Sequence, residues 1–163
     1  MSTSSDPDGF EMLTPGEVLE LVRNIRVHRR GDERAPNKPL LLLFALGRLR
    51  NGRDRLVDYN VVDAEVGSLL SEFGPPRKSI HPEYPFWHLQ ADRMWVVRDA
   101  EDLRLRKGSS NPVKSELLAH HTLGGLPPAV HALLVADEGL CRSIALELLH
   151  EHFPSSIHEE LLA

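Results

Sequence analysis

The sequence contains a single cysteine, Cys141, among its 163 residues. One cysteine excludes an intramolecular disulfide bond and any zinc site built from several thiolates. Because Cys141 lies in an apolar stretch with helical character, we expect a buried and unreactive thiol.

Long hydrophobic runs are also missing from the sequence. No N-terminal apolar segment resembles a signal peptide, and the longest apolar run, residues 39–46, is much too short to cross a bilayer. These absences predict a soluble cytoplasmic protein that makes no contact with a membrane.

The motifs of common enzyme classes are absent as well. The chain has no HExxH pair, no cysteine–histidine quartet, no P-loop, no dinucleotide-binding glycine fingerprint and no Gly-x-Ser-x-Gly elbow. The nine histidines are scattered, and the nearest acidic clusters, residues 63–65 and 101–102, have helical or turn contexts typical of solvated surface acids. We therefore predict no catalytic residue, no protein-bound metal and no cofactor.

The net charge of −5 is distributed unevenly along the chain. Residues 23–55 carry ten Arg or Lys against three acids, whereas residues 136–163 carry six acids against one Arg. A basic region of this kind can meet phosphates while the acidic remainder limits non-specific binding. From charge alone, a nucleic-acid contact and an ordinary solvated arginine surface both remain open.

The order of sequence patterns predicts one mainly helical α+β domain over residues 13–163, preceded by a flexible N-terminus over residues 1–12. Thr14 and Glu17 match a capping box, and the helix that they begin is expected to end near residues 29–31. Asn37 can cap a second helix, which is apolar nearly all round over residues 40–49 and should therefore be central and buried.

Later segments complete this outline. Residues 86–89 and 94–97 are short runs rich in aromatic and β-branched residues, which predict a small antiparallel hairpin. Helices followed by such a hairpin would also fit a winged-helix arrangement. Further helices are predicted at residues 60–73, 115–121, 127–136, 138–152 and 156–162.

The loop over residues 74–85 combines features that few connections share. Its four prolines fix its shape, and it holds the phosphate-binding side chains Arg77, Lys78, Ser79 and His81 beside an apolar Tyr84–Pro85 pair. Cations beside a rigid apolar patch suit a ligand that is both anionic and locally hydrophobic. On the pattern alone, an ordinary connection whose aromatic residues lie in the core is the alternative.

Three stretches carry a family resemblance: Arg-Ala-Pro-Asn-Lys-Pro-Leu-Leu-Leu-Leu at residues 34–43, Glu-Phe-Gly-Pro-Pro-Arg-Lys at 72–78, and His-Pro-Glu-Tyr-Pro-Phe-Trp at 81–87. Residues 109–117 and 152–154 also fit. Over residues 12–162 the chain resembles the sulfur-binding domain of phosphorothioate-dependent type IV restriction endonucleases, the McrA-like enzymes with an HNH nuclease domain.

The resemblance implies binding to double-stranded DNA in which sulfur replaces a non-bridging phosphate oxygen. It implies a hydrophobic sulfur pocket at Tyr84 and Pro85, with His88 beside them. Contacts to the DNA backbone and bases would come from three loops, through Arg29, Arg30, Arg34, Asn37, Lys38, Arg77, Lys78, Ser79, His81, Lys107, Ser109, Ser110 and Asn111.

Two points qualify what the resemblance implies. The family's first loop often reads Pro-His-Lys-Pro, whereas this chain has Asn37 in place of the histidine, and an asparagine cannot become cationic. No HNH signature is found, so a fused nuclease domain would have to lie elsewhere in a longer protein, and the chain is either an excised domain or a stand-alone binder. A metal-dependent nuclease and a protein-interaction module with a basic face remain the alternatives.

Overall fold

The computed structural model describes residues 4–5, 11–27, 29–30, 33–34, 36–73, 80–153 and 155–158. Helices account for most of these residues, as the sequence predicts. They are α1 (Pro15–Arg23), α2 (Asn37–Arg50), α3 (Tyr59–Phe73), α4 (Glu83–His88), α5 (Lys114–Ala119), α6 (Pro128–Ala136) and α7 (Glu138–His152), with two short 3₁₀ helices at Ala100–Asp102 and Ser155–Ile157.

Short antiparallel strands pair in three places within the described part of the chain. Strand β1 (Ser4–Ser5) pairs with β2 (Glu11–Met12), and β3 (Arg29–Arg30) pairs with β4 (Glu33–Arg34). A three-stranded sheet in the order β5-β7-β6 is formed by β5 (Val57–Asp58), β6 (Val96–Val97) and β7 (Leu123–Gly125).

Helix α1 begins where the sequence predicts. The Thr14 hydroxyl accepts a hydrogen bond from the Glu17 N–H, and the Glu17 carboxylate accepts one from the Thr14 N–H, each at 3.2 Å. These two bonds satisfy backbone donors that a helix N-terminus otherwise leaves unpaired. The predicted end near residues 29–31 is wrong, because the helix stops at Arg23 and the chain then continues towards β3.

Helix α2 is the central element of the fold. Its residues Leu40, Leu41 and Leu42 are almost completely buried, and the helix packs against α3, α4, α6 and α7. The prediction of a central, buried helix is therefore confirmed. The prediction that Asn37 caps this helix is wrong, since Asn37 is its first helical residue and the cap position falls on Pro36, which has no side-chain donor or acceptor.

The predicted hairpin of residues 86–89 with 94–97 is not formed. Residues 86–88 belong to α4, and Val96–Val97 pairs with Gly124–Gly125 of β7. Phe86 is fully buried, with its ring edge-on to Tyr59 at 5.0 Å and to Trp95 at 5.8 Å between centroids. Core packing of this aromatic residue outweighs its preference for strands, which is strongly dependent on context.

The small sheet needs glycine at its centre. A Cβ atom on Gly125 would overlap the carbonyl oxygen of Arg55, and one on Gly124 would lie 2.6 Å from the Trp95 indole nitrogen. Two consecutive glycines therefore let the central strand pass close to a neighbouring backbone on one side and to an aromatic ring on the other.

The single cysteine lies in the core of the fold. Cys141 is buried, as predicted, and its burial raises the pKa of the thiol. Among the residues that the structure describes, no helix is both long and apolar enough to cross a membrane.

Candidate nucleic-acid interface

A cavity of about 380 Å³ lies where the N-terminus of α2 meets α4. Three of the lining residues, Tyr84, Pro85 and His88, are those predicted for the sulfur pocket. Two more, Asn37 and Lys38, are predicted to contact DNA, and the other four are not singled out by the sequence. In chain order the lining residues are Arg26, Val27, Asn37, Lys38, Tyr84, Pro85, His88, Ala91 and Asp92.

Helix α4 brings the predicted pocket residues together. Tyr84 and His88 are four residues apart and so lie on the same face of the helix, with ring centroids 6.3 Å apart and an edge-to-face angle of 67°. Pro85 is buried, whereas Tyr84 and His88 are each partly exposed. One wall of the cavity is thus formed by a proline and two rings, with partial access from solvent.

The segment that precedes α4 contributes His81. Its imidazole stacks on Tyr84 with 4.4 Å between centroids and 8° between the ring planes. Its Nδ1 atom lies 3.1 Å from Oε2 of Glu83. His81 is therefore held against the aromatic residue of the cavity. The neighbouring predicted contacts Arg77, Lys78 and Ser79 lie outside the described residues.

Glu83 belongs to a network of charged groups beneath α4. Its side chain is almost completely buried, and Nζ of Lys114 lies 3.9 Å from its Oε1 atom and 3.3 Å from Oδ1 of Asp63. The Tyr59 hydroxyl donates a hydrogen bond of 3.1 Å to Asp63. Burial, together with the charges of Glu83 and Asp63, raises the pKa of Tyr59, so this hydroxyl remains a donor. The network ties the start of α4 to α3 and α5.

His88 connects the cavity to the third predicted loop. Its Nε2 atom lies 2.9 Å from Oδ1 of Asn111. An amide oxygen only accepts hydrogen bonds, so the imidazole acts as the donor at this nitrogen. Of the loop residues predicted to contact DNA, Asn111 is thus already bonded to a wall of the cavity.

The loop that carries Asn111 is a tight turn. The Arg106 N–H donates to the Asn111 carbonyl at 2.8 Å, and the Asn111 N–H donates to the Ser109 hydroxyl at 3.0 Å. Gly108 adopts a positive φ of 78°, which glycine accepts without strain. The other three predicted contacts in this loop, which are Lys107, Ser109 and Ser110, are exposed.

Lys38, the second residue of α2, is ion-paired within the lining of the same cavity. Its Nζ atom lies 2.6 Å from Oδ2 of Asp92, and the other oxygen of Asp92 accepts a 2.9 Å hydrogen bond from the Arg26 N–H. The sequence gives no signal for Asp92, because the predicted hairpin, which is not formed, places residues 90–93 in its turn. No spacing in the sequence connects this acid to Lys38.

The first predicted loop borders the same cavity. Strand β3 begins two residues after Val27, and β4 ends three residues before Asn37, and both of these residues line the cavity. The backbones of Arg29, Arg30 and Arg34 lie in this two-stranded ribbon, and their side chains are outside the described part of the structure.

Two other features of the described residues lie outside the predicted site. A cavity of about 430 Å³ between α1 and α7 is lined mainly by residues of these helices, and Arg23 and Glu147 form an ion pair of 2.8 Å beside it. Asp99, Glu101 and Asp102 have carboxylate oxygens within 4.8 Å of one another. All three are exposed, and exposed acids often cluster without binding a metal.

Comparison with known families and structures gives one consistent result. A family model described as the ScoMcrA-like DNA sulfur-binding domain matches residues 15–163. No curated protein sequence matches the chain. Two of the solved structures that resemble the chain are of ScoMcrA. The sulfur-binding domain of ScoMcrA complexed with phosphorothioated DNA is 28% identical, with a TM-score of 0.79, and the match covers 88% of this chain and 97% of that chain. The type IV phosphorothioation-dependent restriction endonuclease ScoMcrA is also 28% identical, with a TM-score of 0.76, and the match covers 86% of this chain.

The chain spans only 31% of the length of the ScoMcrA endonuclease structure that it matches. The sulfur-binding domain of SprMcrA complexed with phosphorothioated DNA shares the fold, with a TM-score of 0.69 and 24% identity over 87% of both chains.

Proposed function

This chain belongs to the ScoMcrA-like DNA sulfur-binding domain family, and we propose that it binds double-stranded DNA whose backbone carries a phosphorothioate. The observation that carries the proposal is the cavity at α4, where Tyr84, Pro85 and His88 meet the first turn of α2. The sulfur would enter this cavity. The solved complex of the ScoMcrA domain with phosphorothioated DNA supports the choice of ligand.

The chemistry of sulfur explains why such a cavity would select it. A phosphorothioate keeps its negative charge, but sulfur is larger, more polarisable and a poorer hydrogen-bond acceptor than oxygen. Moving sulfur from water onto the ring of Tyr84 and the pyrrolidine of Pro85 therefore loses little hydration. An oxygen in the same place would lose hydrogen bonds to water without replacement, at about 1–3 kcal/mol. This difference corresponds to roughly ten- to a hundredfold discrimination.

The charged groups around the cavity would hold the DNA backbone. The proposed contacts come from the β3–β4 ribbon, from the segment that precedes α4 and from the tight turn that carries Asn111. Such contacts give affinity and position, whereas discrimination between bases requires side chains that reach base edges. The proposed set is Arg29, Arg30, Arg34, Asn37, Lys38, Arg77, Lys78, Ser79, His81, Lys107, Ser109, Ser110 and Asn111.

We propose further that this domain reads the modification and that cleavage, where it occurs, is carried out by another part of a longer protein. The ScoMcrA endonuclease is about three times as long as the region that the chain matches, which supports a division of labour. Incubation of this chain with phosphorothioate duplex and Mg²⁺ or Mn²⁺ is expected to leave the DNA intact. Cleavage products that disappear on addition of EDTA would show that the chain is itself a nuclease.

The decisive experiment is a competition binding assay with one stereo-defined phosphorothioate duplex and the same duplex unmodified. The expected result is tighter binding to the modified duplex at physiological salt, by roughly ten- to a hundredfold. Equal affinity for the two duplexes would overturn the proposal and would favour a protein-interaction module with a basic face.

A further inference from the structure

The cavity proposed to receive an anionic group has an acid in its wall. Asp92 lines this cavity, and its side chain is only 4% exposed. It is held in place from two sides, by Nζ of Lys38 at 2.6 Å and by the Arg26 N–H at 2.9 Å. A carboxylate at this position opposes the binding of any anion unless a specific property of the ligand compensates.

The ion pair with Asp92 also affects how Lys38 can interact with a phosphate. The Lys38 side chain is 17% exposed, and its ammonium group is already bonded to a carboxylate. Without that carboxylate, an ammonium in the cavity wall would attract any phosphate oxygen, because a charged donor and a charged oxygen form one of the strongest hydrogen bonds in proteins. Ordinary DNA presents such oxygens at every nucleotide.

Oxygen and sulfur respond differently to this arrangement. A phosphate oxygen concentrates its charge and needs a strong, charged donor to replace its water, and the ion pair with Asp92 occupies one donor of Lys38 and offsets its charge. Sulfur spreads its charge over a larger atom and accepts hydrogen bonds poorly, so it loses less beside an ammonium whose charge is already paired. An acid beside the cavity therefore disfavours the unmodified backbone more than the modified one.

We propose that Asp92 is a specificity-determining residue, which withholds Lys38 from the phosphate and thereby lowers affinity for unmodified DNA. The inference rests on the proposed function of the cavity. It assigns Lys38 a neutralised role in the cavity wall and therefore removes Lys38 from the set of direct DNA contacts proposed above.

The test compares Asp92→Asn with a matched control. Asparagine keeps an oxygen that can accept the Arg26 N–H but removes the charge that pairs with Lys38. Glu138→Gln is the control, because Glu138 pairs with Arg50 at 2.8 Å and its removal changes the net charge equally. Arg50 is the last residue of α2 and Lys38 the second, so the control lies at the opposite end of the helix from the cavity.

Affinities of wild type, Asp92→Asn and Glu138→Gln are measured for modified and unmodified duplex over a range of salt concentrations. Releasing Lys38 is expected to steepen the salt dependence for unmodified DNA by ~0.9 in log K against log[salt], which means about fivefold tighter binding at 0.15 M salt. The modified duplex gains less, so the preference for sulfur falls. Glu138→Gln leaves both the slope and the preference unchanged.

A double variant separates this explanation from a structural one. Adding Lys38→Met to Asp92→Asn replaces the ion pair with neutral groups, and it is expected to restore the wild-type salt slope and the preference for sulfur. If the salt dependence of the double variant is instead shallower than that of wild type by ~0.9 in log K against log[salt], Lys38 neutralises a phosphate in the wild-type complex and the inference is overturned. This comparison is decisive even where Asp92→Asn alone fails to fold.

The failure of this inference is distinguishable from failure of the proposed function. Wild-type protein that prefers the modified duplex, combined with an unchanged preference in Asp92→Asn, overturns only the role of Asp92. Wild-type protein that shows no preference overturns the proposed function, and the role of Asp92 with it.

Discussion

The ring of Tyr84 lies parallel to the ring of His81, with 4.4 Å between their centroids and 8° between their planes. His88 meets the same tyrosine edge-on from the next turn of α4. The aromatic residue of the cavity is thus held by two imidazoles, and one of these is fixed in turn by the buried carboxylate of Glu83. Aromatic contacts of these geometries contribute about 0.5–1.5 kcal/mol each beyond the area that they bury.

Tyr84→Ala is expected to abolish most of the preference for phosphorothioate DNA, a loss of roughly ten- to a hundredfold in the ratio of the two affinities. The reason is that the variant removes an apolar wall of the cavity while leaving every cation in place. Competition binding with modified and unmodified duplex measures the ratio. Tyr84→Phe keeps the ring and should keep the preference. An equal loss of affinity for both duplexes in Tyr84→Ala would argue against a sulfur contact at this residue.

Arg77→Ala is expected to weaken binding to both duplexes and to make the salt dependence shallower by ~0.9 in log K against log[salt], because one phosphate contact is lost. The preference for sulfur should be nearly unchanged. Arg142→Ala is the matched control, since Arg142 is exposed on α7, away from the residues that line the cavity. A salt slope equal to that of wild type in Arg77→Ala would exclude this arginine from the backbone contacts.

Glu83→Gln is expected to lower the free energy of unfolding by about 2–3 kcal/mol, because it removes the buried charge that faces Lys114 and His81. Asp63 still faces Lys114, and this remaining pair limits the loss. Urea denaturation followed by circular dichroism measures the change. Glu138→Gln, at an exposed ion pair, should change stability by less than about 1 kcal/mol. Similar losses in the two variants would mean that the buried network adds nothing to the stability of α4.

Gly125→Ala and Gly47→Ala are expected to change stability in opposite directions. A methyl group on Gly125 would overlap the backbone of Arg55, which cannot move aside as a side chain would, so a loss of about 2–3 kcal/mol is expected. Gly47 lies within α2 with open space around it, and alanine there should stabilise the helix by about 0.5–1 kcal/mol. Thermal unfolding measures both changes, with a lower Tm expected for Gly125→Ala and a higher Tm for Gly47→Ala than for wild type. Equal stability of Gly125→Ala and wild type would refute the close approach of β7 to Arg55.

The sequence predicted those parts of the fold that depend on neighbours within one helical turn. The capping box of Thr14 and Glu17 joins residues three positions apart, so its pattern is visible in the sequence and its hydrogen bonds form as expected. Helix α2 is apolar nearly all round, and this property alone requires burial on most sides. The family resemblance names Tyr84 and His88 for the pocket, whereas helix α4, which brings them to one cavity, is not predicted from the sequence.

The tertiary structure alone decided the remaining features. The run that begins at Phe86 has the composition of a strand, yet residues 86–88 form the end of helix α4, with the Phe86 ring packed against Tyr59 and Trp95. The strands of the sheet pair across long stretches of the chain, and no local pattern encodes their partners. Asp92 meets Lys38 for the same reason. An ion pair between distant segments depends on how the helices pack. The two charges attract each other strongly only after packing has brought them close together and partly out of water.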